Sequence, residues 1–118
     1  MVRIAISTEG ATEHEFCQFI LAPYFMNNYN IALFSIPMNG NINLPRIKNE
    51  INKLFPKYDY VTTFYDLYGF AREGDISADE LEQKMAKLFN NIKFIPYIQK
   101  YEFETLLFSD SSYYEEYF

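Results

Sequence analysis

Val2-Arg3-Ile4-Ala5-Ile6-Ser7-Thr8-Glu9-Gly10-Ala11-Thr12-Glu13-His14-Glu15 opens the chain, and its reading decides the fold class. Val2 to Ser7 mixes β-branched and small apolar residues without strict alternation, the pattern of a strand buried on both faces of a sheet. Thr8-Glu9-Gly10 ends it. Thr12 and Glu15 are spaced to satisfy free backbone N–H groups reciprocally, which predicts a helix opening at about Glu13. Phe16, Phe19 and Ile20 mark its expected buried stripe. Pro23 lacks a donor and crowds the carbonyl four residues back, so it should kink or end the helix.

Working outward, the same alternation repeats. Ile31 to Met38 reads as a second strand, closed by the turn-forming run Asn39-Gly40-Asn41. Pro45 suits the first turn of the next helix, Ile47, Ile51, Leu54 and Phe55 fall on one helical face, and Pro56 should stop it. Tyr60 to Tyr65 is a β-branched and aromatic third strand that delivers Asp66 at its end. A loop through Gly69 and Gly74 leads to the capping box Ser77-Ala78-Asp79-Glu80. Behind it, Leu81, Met85, Leu88 and Phe89 repeat the helical spacing. Ile92 to Ile98 is the fourth strand, and Glu102 to Phe108 reads as a last short helix. Strand–helix alternation of this kind implies right-handed crossovers and a three-layer α/β/α fold around a mostly parallel four-stranded sheet.

The chain has 118 residues, one domain's worth, and is 49% hydrophobic with 12 Phe and 11 Tyr, enough to drive a packed core. Residues 1–118 are therefore expected to form a single domain. The net charge is −6, and residues 102–118 carry five acids and no base, so the body is nearly neutral. That excludes a chain-wide basic footprint for duplex DNA, leaving a local patch of Arg46, Lys48, Lys53 and Lys57. The lone Cys17 excludes an internal disulfide and a multi-cysteine metal site. No run approaches the ~20 apolar residues that span a bilayer, and the N-terminal apolar run is too short for a signal-peptide core. A cytoplasmic domain with no membrane partner is the expectation.

In an open parallel sheet, ligands bind outside the carboxyl ends of the strands. Glu9 and Glu13 follow the first strand, Asp66 ends the third, and Glu102 and Glu104 follow the fourth. Like charges crowded at one rim raise one another's pKa unless a cation neutralises them. With oxygen donors and almost no His or Cys, Mg²⁺ or Mn²⁺ is the expected ion, serving phosphoryl chemistry.

Three stretches carry a family resemblance: Glu9-Gly10-Ala11-Thr12-Glu13; Asp66-Leu67-Tyr68-Gly69; and Phe94-Ile95-Pro96-Tyr97-Ile98-Gln99 followed by Tyr101-Glu102-Phe103-Glu104-Thr105-Leu106-Leu107-Phe108-Ser109-Asp110. Together they resemble the bacterial domain-of-unknown-function family 4276, which is Toprim-like. The Toprim fold places a glutamate after its first strand and an Asp-x-Asp pair after its third, which hold Mg²⁺ for phosphodiester work. The resemblance implies that Glu9 is a metal ligand or general acid/base and that Asp66 is the first aspartate of the pair. Tyr68 stands where the second aspartate belongs, so Glu102 or Glu104 would have to substitute. Family members carry His at the position of Tyr101 and continue beyond Phe118, which implies a shortened or truncated member. Relatives of this kind work beside ATPases in phage defence, so the resemblance also implies an ATPase partner.

Two functions from different classes follow: a Mg²⁺-dependent nuclease or phosphodiesterase acting on nucleic acid, and a noncatalytic module that docks a protein partner or a second copy. For the second, the acidic, aromatic stretch Ser111 to Phe118 is the expected contact. Each feature also has a plainer reading. Glu9-Gly10 fits an ordinary strand-to-helix turn in which Gly takes a backbone conformation other residues avoid. Asp66 fits a turn former, His14 and Cys17 fit simple packing, and the Lys/Arg set fits a solvated helix face.

Overall fold

The computed structural model describes residues 1–40, 42–67, 70 and 76–99. Strands β1 (Val2–Thr8), β2 (Ile31–Pro37) and β3 (Tyr60–Asp66) are joined by helical crossovers. The first crossover is α1 (Ala11–Phe16), a π-helical segment (Cys17–Leu21) and α2 (Ala22–Tyr29); the second is α3 (Leu44–Asn52). Helix α4 (Ala78–Leu88) then leads to two short strands, β4 (Phe94–Ile95) and β5 (Ile98–Gln99).

All pairings are parallel, in the order β2-β1-β3-β4, with β5 also on β3. The chain steps from β1 to β2 in one direction, then back past β1 to β3 and on to β4. Right-handed crossovers put helices made on opposite steps on opposite faces. Accordingly α3 and α4 share one face, where Ile47, Ile51, Leu81 and Met85 pack with Ala5, Val61 and Tyr65 in a single buried cluster. Phe89 and Phe94 close its base with ring centroids 4.6 Å apart. On the other face Phe16 of α1 meets Phe64 of β3 at 6.5 Å. This is the α/β three-layer arrangement expected. Among the described residues no helix is long and apolar enough to cross a membrane.

Several local expectations are corrected. The first helix starts at Ala11 with Gly10 as its cap and no side-chain capping bond, two residues before the expected start at Glu13. Gly10 lies at φ −137°, an extended conformation open to any residue, so the turn does not demand glycine there. The fully inward residues of this helical run are Glu13 and Cys17; of the expected stripe Phe16 and Ile20 are half-buried, Phe16 against Phe64, and Phe19 is 65% exposed. Pro23 does not end the helix. The widened turns Cys17–Leu21 directly precede it, and such turns relieve the clash between a proline ring and the previous turn, so Pro23 sits in the first turn of α2. Helix α3 closes at Asn52, ahead of Pro56.

The expected fourth strand, Ile92 to Ile98, is two strands. Ile92 is almost fully exposed, and Pro96-Tyr97 interrupts the ladder because proline has no N–H to give it. Thr63 fills the break: its Oγ1 donates to the Tyr97 carbonyl at 2.7 Å and accepts the Tyr97 N–H at 2.9 Å. Pro45 sits in the first turn of α3 as expected, behind an Asn43 cap that accepts the Arg46 N–H, and the expected Ser77 cap is present, its Oγ accepting the Glu80 N–H. The expected helix Glu102 to Phe108 lies outside the described residues.

Candidate functional site

Strand order decides where a site can form. Neighbours β1 and β3 send their following connections to opposite faces of the sheet, so the crevice beyond their carboxyl ends is the switch point of this fold. Glu9 leaves β1 there in a bend, and Asp66 is the last residue of β3; both are half-buried.

The pleat sorts the neighbouring side chains by face. Thr62, Phe64 and Asp66 alternate onto the face that α1 covers, as the Phe16–Phe64 contact shows. Thr8 pairs with Phe64 and Gln99 pairs with Asp66, so both polar residues join that face at the same edge. Thr8 is fully buried, and its Oγ1 meets no hydrogen-bond partner among the described residues. Gln99 is 6% exposed and its Oε1 accepts from the Tyr97 hydroxyl at 2.7 Å. Glu13, 8% exposed, lies on the inner side of α1, and its Oε2 reaches to 3.4 Å from where a Cβ on Gly10 would stand.

On the opposite face, Ser7 Oγ lies 2.6 Å from the Tyr65 hydroxyl, which donates to Met38 Sδ at 3.1 Å. Burial pushes Tyr65 above its ordinary 10.0; the Ser7 hydrogen bond and Arg46 pull it down, and Glu9 and Glu50 add to the rise. Asp66 and Glu13 belong to the face that α1 covers, and Glu9 follows β1 in a bend beyond the pleat.

A loop closes over the end of β1. Met38 N–H donates to the Thr8 carbonyl at 2.8 Å, and Gly40 N–H donates to the Glu9 carbonyl at 2.7 Å. Asn39 and Gly40 both take positive φ, 60° and 83°, which Asn tolerates and Gly takes without cost. Arg46 ties the loop to α3, its Nη2 donating to the Met38 carbonyl at 2.5 Å and its Nη1 to Gly40. Arg46 is thus committed to carbonyls of this loop, a correction to its expected place in a basic patch.

Of the five carboxylates expected at the rim, Glu9 directly follows β1, Asp66 ends β3 and Glu13 lies on the inner side of α1; Glu102 and Glu104 lie outside the described residues, as do Tyr68 and Ser111 to Phe118. Carboxylate, hydroxyl and amide oxygens are the donors here, a set suited to a hard divalent cation. Among the described residues no three acidic, His or Cys side chains come together as a metal-holding group. His14 is bonded through Nδ1 to Ser35 Oγ at 2.7 Å and Cys17 is fully buried, so both serve packing. Sequence reasoning missed Ser7, Thr8, Tyr65 and Gln99. The available signal was polarity at the carboxyl ends of strands that are otherwise apolar.

A hollow of about 620 Å³ opens at the opposite, amino end of the strands, against Val2, Tyr29, Asp59 and Tyr60, and takes no part in this rim. No curated protein and no solved structure matches the chain. A family model described as Domain of unknown function (DUF4276) matches residues 8–117, and the chain belongs to that family.

Proposed function

We propose that the chain is a Toprim-like phosphodiesterase or nuclease that acts on nucleic acid with Mg²⁺ or Mn²⁺ at the β1/β3 switch point. One observation carries this reading: Glu9 and Asp66, 57 positions apart in the numbering, stand at the carboxyl ends of two hydrogen-bonded neighbouring strands. Glu9 and Asp66 would hold the ion, with Glu13 behind them and Glu102 or Glu104 as further ligands from the chain beyond β5. When bound, the ion neutralises a phosphate oxygen and lowers the pKa of the attacking water. The chain's own part is to fix the acids: the Met38–Gly40 loop pins the Thr8 and Glu9 carbonyls, and the β3 ladder fixes Asp66.

The test is cleavage of single- and double-stranded DNA and RNA with Mg²⁺ or Mn²⁺. The reading expects activity that Glu9→Gln lowers by at least ~100-fold, the scale of losing a positioned acid/base group. Equal rates for wild type and Glu9→Gln overturn it.

Tyr68, standing where the Toprim pattern has its second aspartate, favours a second reading: a noncatalytic module in a phage-defence assembly that docks an ATPase. Wild type with no cleavage, no ion binding and retention of an ATPase partner would select it.

A further inference from the structure

The whole run 16–45 holds no Asp, Glu, Lys, Arg or His, in a chain that is 22% charged. It spans the π-helical segment, α2, β2 and the loop after it, whose Met38 and Ile42 are buried in the core. Strand β2 ends the sheet and pairs only with β1 among the described residues, so its outer row of N–H and C=O groups faces outward. Sheet edges are normally protected by lysine, by an interior proline or by a bulge. Ile31-Ala32-Leu33-Phe34-Ser35-Ile36-Pro37 has proline only at its last position, and no charge.

Helix α2 gives an independent sign. It buries none of its residues, although Tyr24, Phe25, Met26 and Tyr29 are half of it. Tyr24 is 41%, Met26 40% and Tyr29 58% exposed, and the rings of Tyr24, Phe25 and Tyr29 pack on one another at 5.7–6.0 Å. Most helical stability in proteins comes from packing an apolar face, and although α2 lies against β2, Tyr24, Met26 and Tyr29 stay exposed.

We infer that the β2 edge and the outer surface of α2 bind a second copy of this chain, the two β2 strands pairing antiparallel about a two-fold axis. The absence of charge selects this occupant. A charge on a two-fold axis meets its own copy, so an isologous contact favours a charge-free centre; β2 and α2 carry no charge, and Arg3 of β1 stacks on Phe34 at 5.2 Å on the sheet face away from α2. A foreign partner would find no charge here to complement. The edge is self-complementary: seven residues of one strand satisfy the open groups of the other and extend the sheet across both chains. Tyr24, Met26 and Tyr29, 40–58% exposed, give part of the ~800 Å² each partner buries in a standard interface. The strand edge and its flanks supply more.

Sedimentation velocity of the full chain reads the outcome, with hydrogen exchange on the same samples. The expected result is a dimer, weakened at least about tenfold by Met26→Glu or Tyr24→Glu with the circular dichroism unchanged. The β2 amides should exchange slowly in the wild type and faster in both variants. Should a glutamate variant unfold, slow β2 exchange in the wild-type dimer and its loss on dilution decide the matter. A wild-type monomer overturns the proposal, and so does a dimer untouched by both substitutions. A monomer that floats with phosphatidylcholine vesicles overturns it too, giving the surface to a lipid bilayer instead.

Discussion

Cys17 shows how one residue records its surroundings. Burial against the sheet pushes its thiol from 9.0 up to about 12, and the nearby charge of Glu13 adds to the rise. A thiol that stays protonated to a higher pH in the fold than in the open chain stabilises the fold only while both forms are protonated. That contribution is complete below pH 9 and is lost as pH rises toward 12, because the unfolded chain gives up its proton first. Tyr65, raised in the same direction from 10.0, adds to the alkaline loss. Urea denaturation from pH 8 to 11 should therefore show stability falling from about pH 9 upward. Iodoacetamide at pH 8 should label Cys17 only as fast as the chain opens, and rapid labelling of the native protein would contradict its burial. That Cys17 packs rather than reacts was legible in the sequence. That it lies one turn from a buried Glu13 was not, because acids are seldom buried and no local pattern marks one in a first helical turn as facing inward.

Among the elements, those legible in the sequence are the ones whose periodicity and caps agree. Helix α4 has both, with Ser77 at its cap and Leu81 and Met85 fully buried. Two of the misread stretches contain proline, whose effect depends on what the rest of the fold can offer. Before Pro23 the helix widens and continues. At Pro96 a strand breaks, and the break is repaired by Thr63, a side chain 33 positions earlier in the numbering. No local pattern announces that repair. Thr63→Val keeps the shape but leaves the Tyr97 N–H and carbonyl unmet in a partly buried place, and should cost ~1–3 kcal/mol in urea denaturation. Hydrogen exchange at Tyr97 should quicken alongside. A loss below a few tenths of a kcal/mol would mean that water replaces the hydroxyl and that β4 and β5 do not depend on it.

For the whole molecule, the order β2-β1-β3-β4 turns alternation along the chain into a crevice between β1 and β3. Buried apolar strands and right-handed crossovers made the sheet and its layers legible before any coordinates. Spacing set Glu9 after one strand and Asp66 at the end of another; that these two strands are neighbours is a finding of the structure. The pleat adds what spacing could not show: Asp66 shares its face with Thr8 and Gln99, while its neighbour Tyr65 points to the other face with Ser7. An ion at this rim would draw the two carboxylates together from opposite sides of the crevice. Isothermal titration of Mn²⁺ into the full chain tests this most directly, with Glu9→Ala and Asp66→Ala as comparisons and circular dichroism as the check on folding. The account predicts saturable binding by the wild type that either substitution abolishes. Titrations that cannot be told apart among the three proteins would contradict it.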